Sequence, residues 1–327
     1  MEQTMIVPRF WSESVVEGRV KGRAVRIRRF GWSNDSEQAA TAHAASRAEE
    51  ALLRLQQGER VARREIKQSY GGGDGLPIRE QIVDERDDVV ITRNSYGARC
   101  LNTPDVLFVD MDFDASNSLV ANVFGAASVI ASISVLFALQ FSPTAWFMAL
   151  LLLPMGFLFA ARFRAKKRAA DSALPRLRAM CQRWLDQDPK RRLRLYRTPA
   201  GLRAVVMHQT FPPDSPAVRE CFQGLGADPV YQRMCELQQC FRARVTAKPW
   251  RMGFTMRFRP RPGVWPIAAT AMPIREQWVT AYEQQAREFA ACHFLEELGS
   301  GHADFKVQRV VAWHDELCGA LSGRPLA

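Results

Sequence analysis

The sequence predicts an α+β protein, a mainly antiparallel sheet with packed helices, interrupted by a two-helix transmembrane hairpin. Three observations lead there. Residues 115–161 contain no Asp, Glu, Lys or Arg, and are framed by Asp110, Asp112 and Asp114 on one side and RFRAKKR on the other. Short segments with the alternation of strands lie on both sides of that run. Segments with helical spacing separate those strands, and hairpin-type turns outnumber crossover connections.

The elements follow in order. The opening MEQTMIVPRFW has no basic stretch leading into an apolar core, so no secretory signal is expected. VKGRAVRIRRFGWS alternates Val20, Val25 and Ile27 with basic neighbours such as Arg23 and predicts one strand, ended by Gly31 and Ser33. Asn34 with Glu37 resembles a capping pair, after which alanine-rich sequence predicts a helix to Gly58. YGGGDG offers three glycines in a row but no GKS or GKT after them, which excludes a Walker loop and leaves a flexible turn. VVITR and VLFVDMDF predict two strands separated by Asn, Gly and Pro turn chemistry.

The uncharged run is about twice the roughly 20 residues that one span requires. QFSPTAW interrupts it, so helices over 119–139 and 146–163 joined by Ser142, Pro143 and Thr144 are expected. Arg162, Arg164, Lys166, Lys167 and Arg168 follow directly and fix the orientation, with both flanks cytoplasmic to an inner (plasma) membrane. No ionisable residue falls between 115 and 161, so conduction is not expected. The chain thus divides into 1–114 and 164–327, two parts of one cytoplasmic domain, around a hairpin at 115–163.

Beyond it, SALPRLRAMCQRWLDQ has helical spacing, and RLRLYRT and LRAVVMH predict a strand hairpin through PAG. A helical region over 215–240 breaks at GLGADP. FRARVTAKPWRM and MRFRPRPGVWP are expected to be extended, 274–298 to be one long helix ending at Gly299, and KVQRVVAWH to be a last strand.

The balance of 45 Lys plus Arg against 34 Asp plus Glu gives a formal charge of +11, which points to a polyanionic partner. Seven scattered cysteines without a CxxC pair predict reduced, buried thiols, and no zinc site is expected because Cys235 and Cys240 lack histidines at ligand spacing. No GxSxG is present, which leaves serine-nucleophile chemistry without its motif.

FVDMDFD is the sharpest constellation. Asp110 and Asp112 are two apart on an apolar strand and share a face, where two carboxylates need a cation, Mg²⁺ or Mn²⁺, or an arginine to offset their repulsion. Arg203 and His208 are five apart on the later hairpin and would face opposite sides of a regular strand. An hhhDhD strand followed by a histidine-bearing hairpin resembles the catalytic core of the archaeo-eukaryotic primase superfamily. That resemblance covers VLFVDMD and LRLYRTPAGLRAVVMH and implies an RRM-like sheet binding two metals and a nucleotide. Asp110 and Asp112 would then be metal ligands and His208 a catalytic contact to nucleotide phosphate, with Asp315 the nearest counterpart of a third carboxylate. A hairpin inserted straight after the carboxylate strand, and no visible zinc-binding module, depart from the family pattern.

Arginine-rich segments with interleaved aromatics can hold phosphates and stack on bases, and Arg197, Arg203, Arg244, Lys248 and Arg251 are the expected contacts. Anionic lipid is the alternative target near a bilayer, and solvated strand faces a third reading. His314–Asp315, read as adjacent strand residues, would point apart. The expected protein is therefore a bilayer-inserted one whose basic cytoplasmic domain binds a nucleotide, nucleic acid or anionic lipid. The alternative is a metal-dependent nucleotidyl- or phosphoryl-transfer enzyme.

Overall fold

The computed structural model describes residues 7–65, 76–113, 173–260 and 265–327. The hairpin expected over 115–163 and the glycine-rich turn near residue 72 lie outside those residues. Among the described residues no helix is long and apolar enough to cross a membrane.

The fold is α+β with antiparallel sheets and six described helices. A long ribbon, β1 (Phe10–Val20) and β2 (Arg23–Ser33), opens the chain. The single strand expected here is therefore two, because Lys21 and Gly22 both take positive φ and reverse the chain. Against the ribbon lies α1 (Glu37–Gln56), whose Ala40, Ala44, Ala48 and Ala51 form its buried face. Those alanines let the helix approach closely. A Cβ on Gly31 would stand 2.2 Å from the Ala44 nitrogen, so glycine is required there. The cap is Ser36, whose hydroxyl accepts from the Ala39 N–H at 3.1 Å, rather than the expected Asn34.

Two four-stranded antiparallel sheets form the body. One has the order β3 (Gln81–Arg86), β4 (Val89–Arg93), β5 (Arg99–Thr103), β9 (Phe241–Arg244). The other runs β10 (His293–Leu298), β7 (Leu193–Arg197), β8 (Gly201–Val206), β6 (Phe108–Asp112). Here β6, which precedes residues 114–172, pairs with β8, which follows them. Gly201 is what lets the two strands meet, since a Cβ there would lie 1.9 Å from the Met111 carbonyl oxygen. Val89, Ile91 and Leu101 of one sheet and Val109, Leu195 and Val205 of the other belong to a single apolar core. Burying each such side chain contributes roughly 1.5–3 kcal/mol.

Helices close the layers: α2 over 173–185, α3 (Pro216–Leu225), α4 (Pro229–Gln238), α5 (Met272–Ala286) and α6 (Phe305–Cys318). Two further expectations need correction. The helix expected over 274–298 stops at Ala286, and His293–Leu298 is an edge strand. Pairing with β7 from His293↔Arg197 to Leu298↔Leu193 overrides the helical preference of HFLEEL. The strand expected at KVQRVVAWH is α6 instead. Asp304 caps it, accepting from the Lys306 and Val307 N–H groups, and Val307, Val310, Val311, His314 and Cys318 are buried at helical spacing.

Candidate functional site

Register places Asp110 opposite Arg203, and Arg203 opposite Tyr196, so the three side chains form one row on one face of the second sheet. Arg203 Nε and Nη2 donate to the two carboxylate oxygens of Asp110 at 2.7 and 3.0 Å. This buried guanidinium has its pKa raised: burial alone would lower it, and Asp110 outweighs burial. Asp110 is therefore already neutralised by an arginine, which was the alternative to a metal at that position.

Asp112, two residues further along the same face, is exposed and has no ion pair within 4 Å among the described residues. Its carboxyl is raised by desolvation, then by the neighbouring carboxylates of Asp110 and Asp228. Asp228 caps α4, and its N–H donates to the Asp110 carbonyl at 3.3 Å. Lys248, just before a short 3₁₀ turn (Pro249–Arg251), and Arg251, its last residue, draw the Asp112 acidity the other way.

Those two cations are half-buried and form no ion pair within 4 Å among the described residues. Both have their pKa values lowered, by desolvation first and then by Arg244 and, for Lys248, by Arg251. Beside them Trp250 is 61% exposed; its ring meets Tyr96 edge-on at 5.2 Å, and Lys248 Nζ lies 5.5 Å from its centroid. Burial pushes the Tyr96 phenol up to about 12. Three of the five expected polyanion contacts, Arg244, Lys248 and Arg251, are thus gathered in one corner with an open aromatic face. The 241–252 segment does this by leaving β9 after Arg244 and turning back at Pro249.

The remaining expected residues lie elsewhere. Arg203 is committed to Asp110, and Arg197 stands at the end of β7 with its guanidinium 4.3 Å from the Phe113 ring. His208 lies beyond the end of β8, five residue rises or roughly 16 Å along the strand from Arg203. Its Nδ1 accepts from the Arg192 N–H at 3.5 Å and its ring packs near Trp184 and Phe211, so the structure does not bring it to Asp110 and Asp112. Its pKa is lowered, chiefly by burial.

A second constellation escaped the sequence reading. Behind Arg203 lies His314, whose Nε2 faces Arg203 Nη1 at 3.2 Å and the sulfurs of Cys318 and Cys292 at 3.4 and 3.9 Å. The three ligand atoms of Cys292, His314 and Cys318 fall within 4.8 Å of one another and can hold a metal ion. His314 Nδ1 faces Asp315 Oδ1 at 3.3 Å, which assigns the Nδ1–H tautomer. Asp315 in turn accepts from Tyr196 Oη and Arg194 Nη2, each at 2.6 Å. Arg194 continues to Glu297 at 2.6 Å, and Glu297 to Arg192. A hydrogen bond from Cys318, then His314 and Arg203, hold the Cys292 thiol well below its ordinary range against burial, while burial and that neighbour push Cys318 well up. The available signal was His314 and Cys318 four apart, one face of a helix, and it vanished once the segment was read as a strand.

Comparisons with protein-family models, with curated proteins and with solved structures find no match for this chain. The functional reading therefore rests on this geometry.

Proposed function

We propose that this protein is anchored in a bilayer through 115–163 and uses the corner formed by Arg244, Lys248, Arg251 and Trp250 to hold the phosphates of a polyanion, a nucleotide or nucleic acid strand. One observation carries the binding site. Lys248 and Arg251 are half-buried cations with no carboxylate partner within 4 Å among the described residues, and burial and then the neighbouring Arg244 lower the pKa of both, Arg251 adding to the effect on Lys248. A phosphate placed between them relieves that repulsion, and the charge-assisted hydrogen bonds so formed are about twice as strong as neutral ones. Exposed Trp250, steadied by Tyr96, favours a ligand with a base over a lipid headgroup, because stacking on an aromatic face suits any base. The anchor is supported by the uncharged run and the basic cluster after it, which would keep this corner on the cytoplasmic side.

The test uses the full chain with a fluorescently labelled single-stranded oligonucleotide, and vesicles of anionic lipid as the second arm. Binding of the oligonucleotide, weakened at least tenfold in Lys248→Ala/Arg251→Ala and falling with salt, is the expected result. Vesicle binding lost in the same variant, without oligonucleotide binding, would reassign the corner to lipid.

A second reading has one observation of its own. Asp112 is raised first by desolvation and then by two nearby carboxylates, Asp228 and the Arg203-paired Asp110, an acidic neighbourhood of the kind Mg²⁺ or Mn²⁺ would occupy. With the phosphate-holding cations alongside, this is the arrangement that the primase-like resemblance would use for nucleotidyl transfer. Thermal stabilisation by Mn²⁺ that disappears in Asp112→Asn supports it; a melting curve indifferent to divalent ions refutes it.

A further inference from the structure

We propose that Cys292, His314 and Cys318 form a binding site for one thiophilic metal ion of the zinc or copper(I) class. Thiolate with imidazole is the donor set that such ions select, whereas Mg²⁺ and Mn²⁺ prefer the oxygen ligands at the sheet rim. The spacing fits. With metal–sulfur and metal–nitrogen bonds of about 2.3 and 2.0–2.1 Å, tetrahedral geometry separates nitrogen from sulfur by roughly 3.5 Å and the two sulfurs by roughly 3.8 Å. Here the nitrogen–sulfur separations are 3.4 and 3.9 Å, and the sulfurs lie within 4.8 Å.

The ligands are held by backbone as well as by packing. His314 and Cys318 share a face of the last turns of α6, and the chain after α6 is tied to the start of β10 by the Ala291 N–H donating to the Cys318 carbonyl at 2.9 Å and the Phe294 N–H to Ala320 at 3.0 Å. That pairing delivers Cys292 to the other two. His314 also has the outer partner that metal-bound imidazoles use, a carboxylate on its second nitrogen, and Tyr196 and Arg194 fix that carboxylate in turn. All three ligands are buried. For zinc the charge closes: Zn²⁺ + 2 RSH → Zn(SR)₂ + 2 H⁺, so the site stays neutral; Cu⁺ gives [Cu(SR)₂]⁻ + 2 H⁺, whose single negative charge faces the Arg203 guanidinium. Metal binding takes the His314 Nε2 lone pair from Arg203 Nη1, 3.2 Å away, and frees that N–H to donate to a thiolate.

The full chain, purified anaerobically with a reductant, is examined for metal content and then titrated with Zn²⁺, Cu⁺ and, as a spectroscopic probe, Co²⁺. One equivalent bound, with thiolate-to-cobalt charge-transfer bands and visible bands of tetrahedral cobalt, is expected. Elemental analysis of the protein as isolated decides between zinc and copper. Cys318→Ser weakens binding at least tenfold, and Asp315→Asn, which keeps all three ligands, weakens it about 10–100-fold. If the cysteine variant does not fold, wild-type protein still decides: a chelator should lower the melting temperature and zinc should restore it. No uptake of any of the three ions by folded, reduced protein would overturn the proposal. So would uptake unchanged in both Cys292→Ser and Cys318→Ser, or a Cys292–Cys318 disulfide in the reduced preparation.

Discussion

The inner and outer ends of one polar row behave in opposite ways. Inside, Asp110, Arg203, Asp315, Arg194, Glu297 and Arg192 alternate in sign, each charge with a partner within 4 Å, around His314 and two thiols. At the rim, the charges of Asp112, Lys248 and Arg251 lie near one another but form no ion pair among the described residues. A closed network fixes a structure, because breaking it strands a buried charge. An open set of half-buried charges costs stability and is repaid by a ligand. On the proposed reading, the rim is where a ligand binds and the interior is framework.

The largest expected effect belongs to the interior. Arg203→Met leaves Asp110 facing the sheet without its partner and should cost about 3–5 kcal/mol in urea unfolding, whereas removing both charges together, Asp110→Leu/Arg203→Met, should recover much of that. A double variant no better than the single would contradict the pairing. Next comes Gly201→Ala, whose methyl would collide with the Met111 carbonyl and push β6 from β8, at a cost of about 3 kcal/mol by the same measurement. At the rim, Trp250→Ala should leave stability within about 0.5 kcal/mol of wild type. It should weaken oligonucleotide binding by about 1–3 kcal/mol. An exposed tryptophan that mattered to folding and not to binding would reverse the contrast.

The smallest effect is on pH. Burial holds the folded-state pKa of His208 below its unfolded value near 6.5, so the unfolded chain takes up the proton first. His208 thus costs no stability above about pH 6.5, and stability is lost as pH falls from there through the folded pKa. His208→Gln should flatten that part of the stability–pH curve relative to wild type; an unchanged slope would mean that the imidazole is not shielded.

Much of the fold could be read from residue patterns. VVITR and FVDMD stand at β4 and β6, the alanine-rich helix runs as its spacing says, and the hairpin of β7 and β8 sits where PAG turns it. Failure came where two patterns compete. Valines at 307, 310 and 311 are β-branched and suggest a strand, yet their spacing buries them on one helical face once Asp304 supplies a cap. HFLEEL prefers a helix by composition and becomes a strand because β7 offers an unpaired edge. Both errors concealed the metal-ligating set, since Cys292 precedes the misread strand and His314 and Cys318 lie on the misread helix. Arg244, Lys248 and Arg251 were legible as a basic, aromatic-interleaved segment, but their neighbourhood with Asp112 depends on β9 and β6 belonging to different sheets that share one core.

The account turns on whether the rim cations are an empty seat for phosphate. Titrating the full chain with a labelled single-stranded oligonucleotide, wild type against Lys248→Ala/Arg251→Ala at matched salt, addresses this most directly. The account predicts at least a tenfold loss of affinity in the variant with its melting temperature kept. Equal affinity in a variant that melts as wild type does would contradict it.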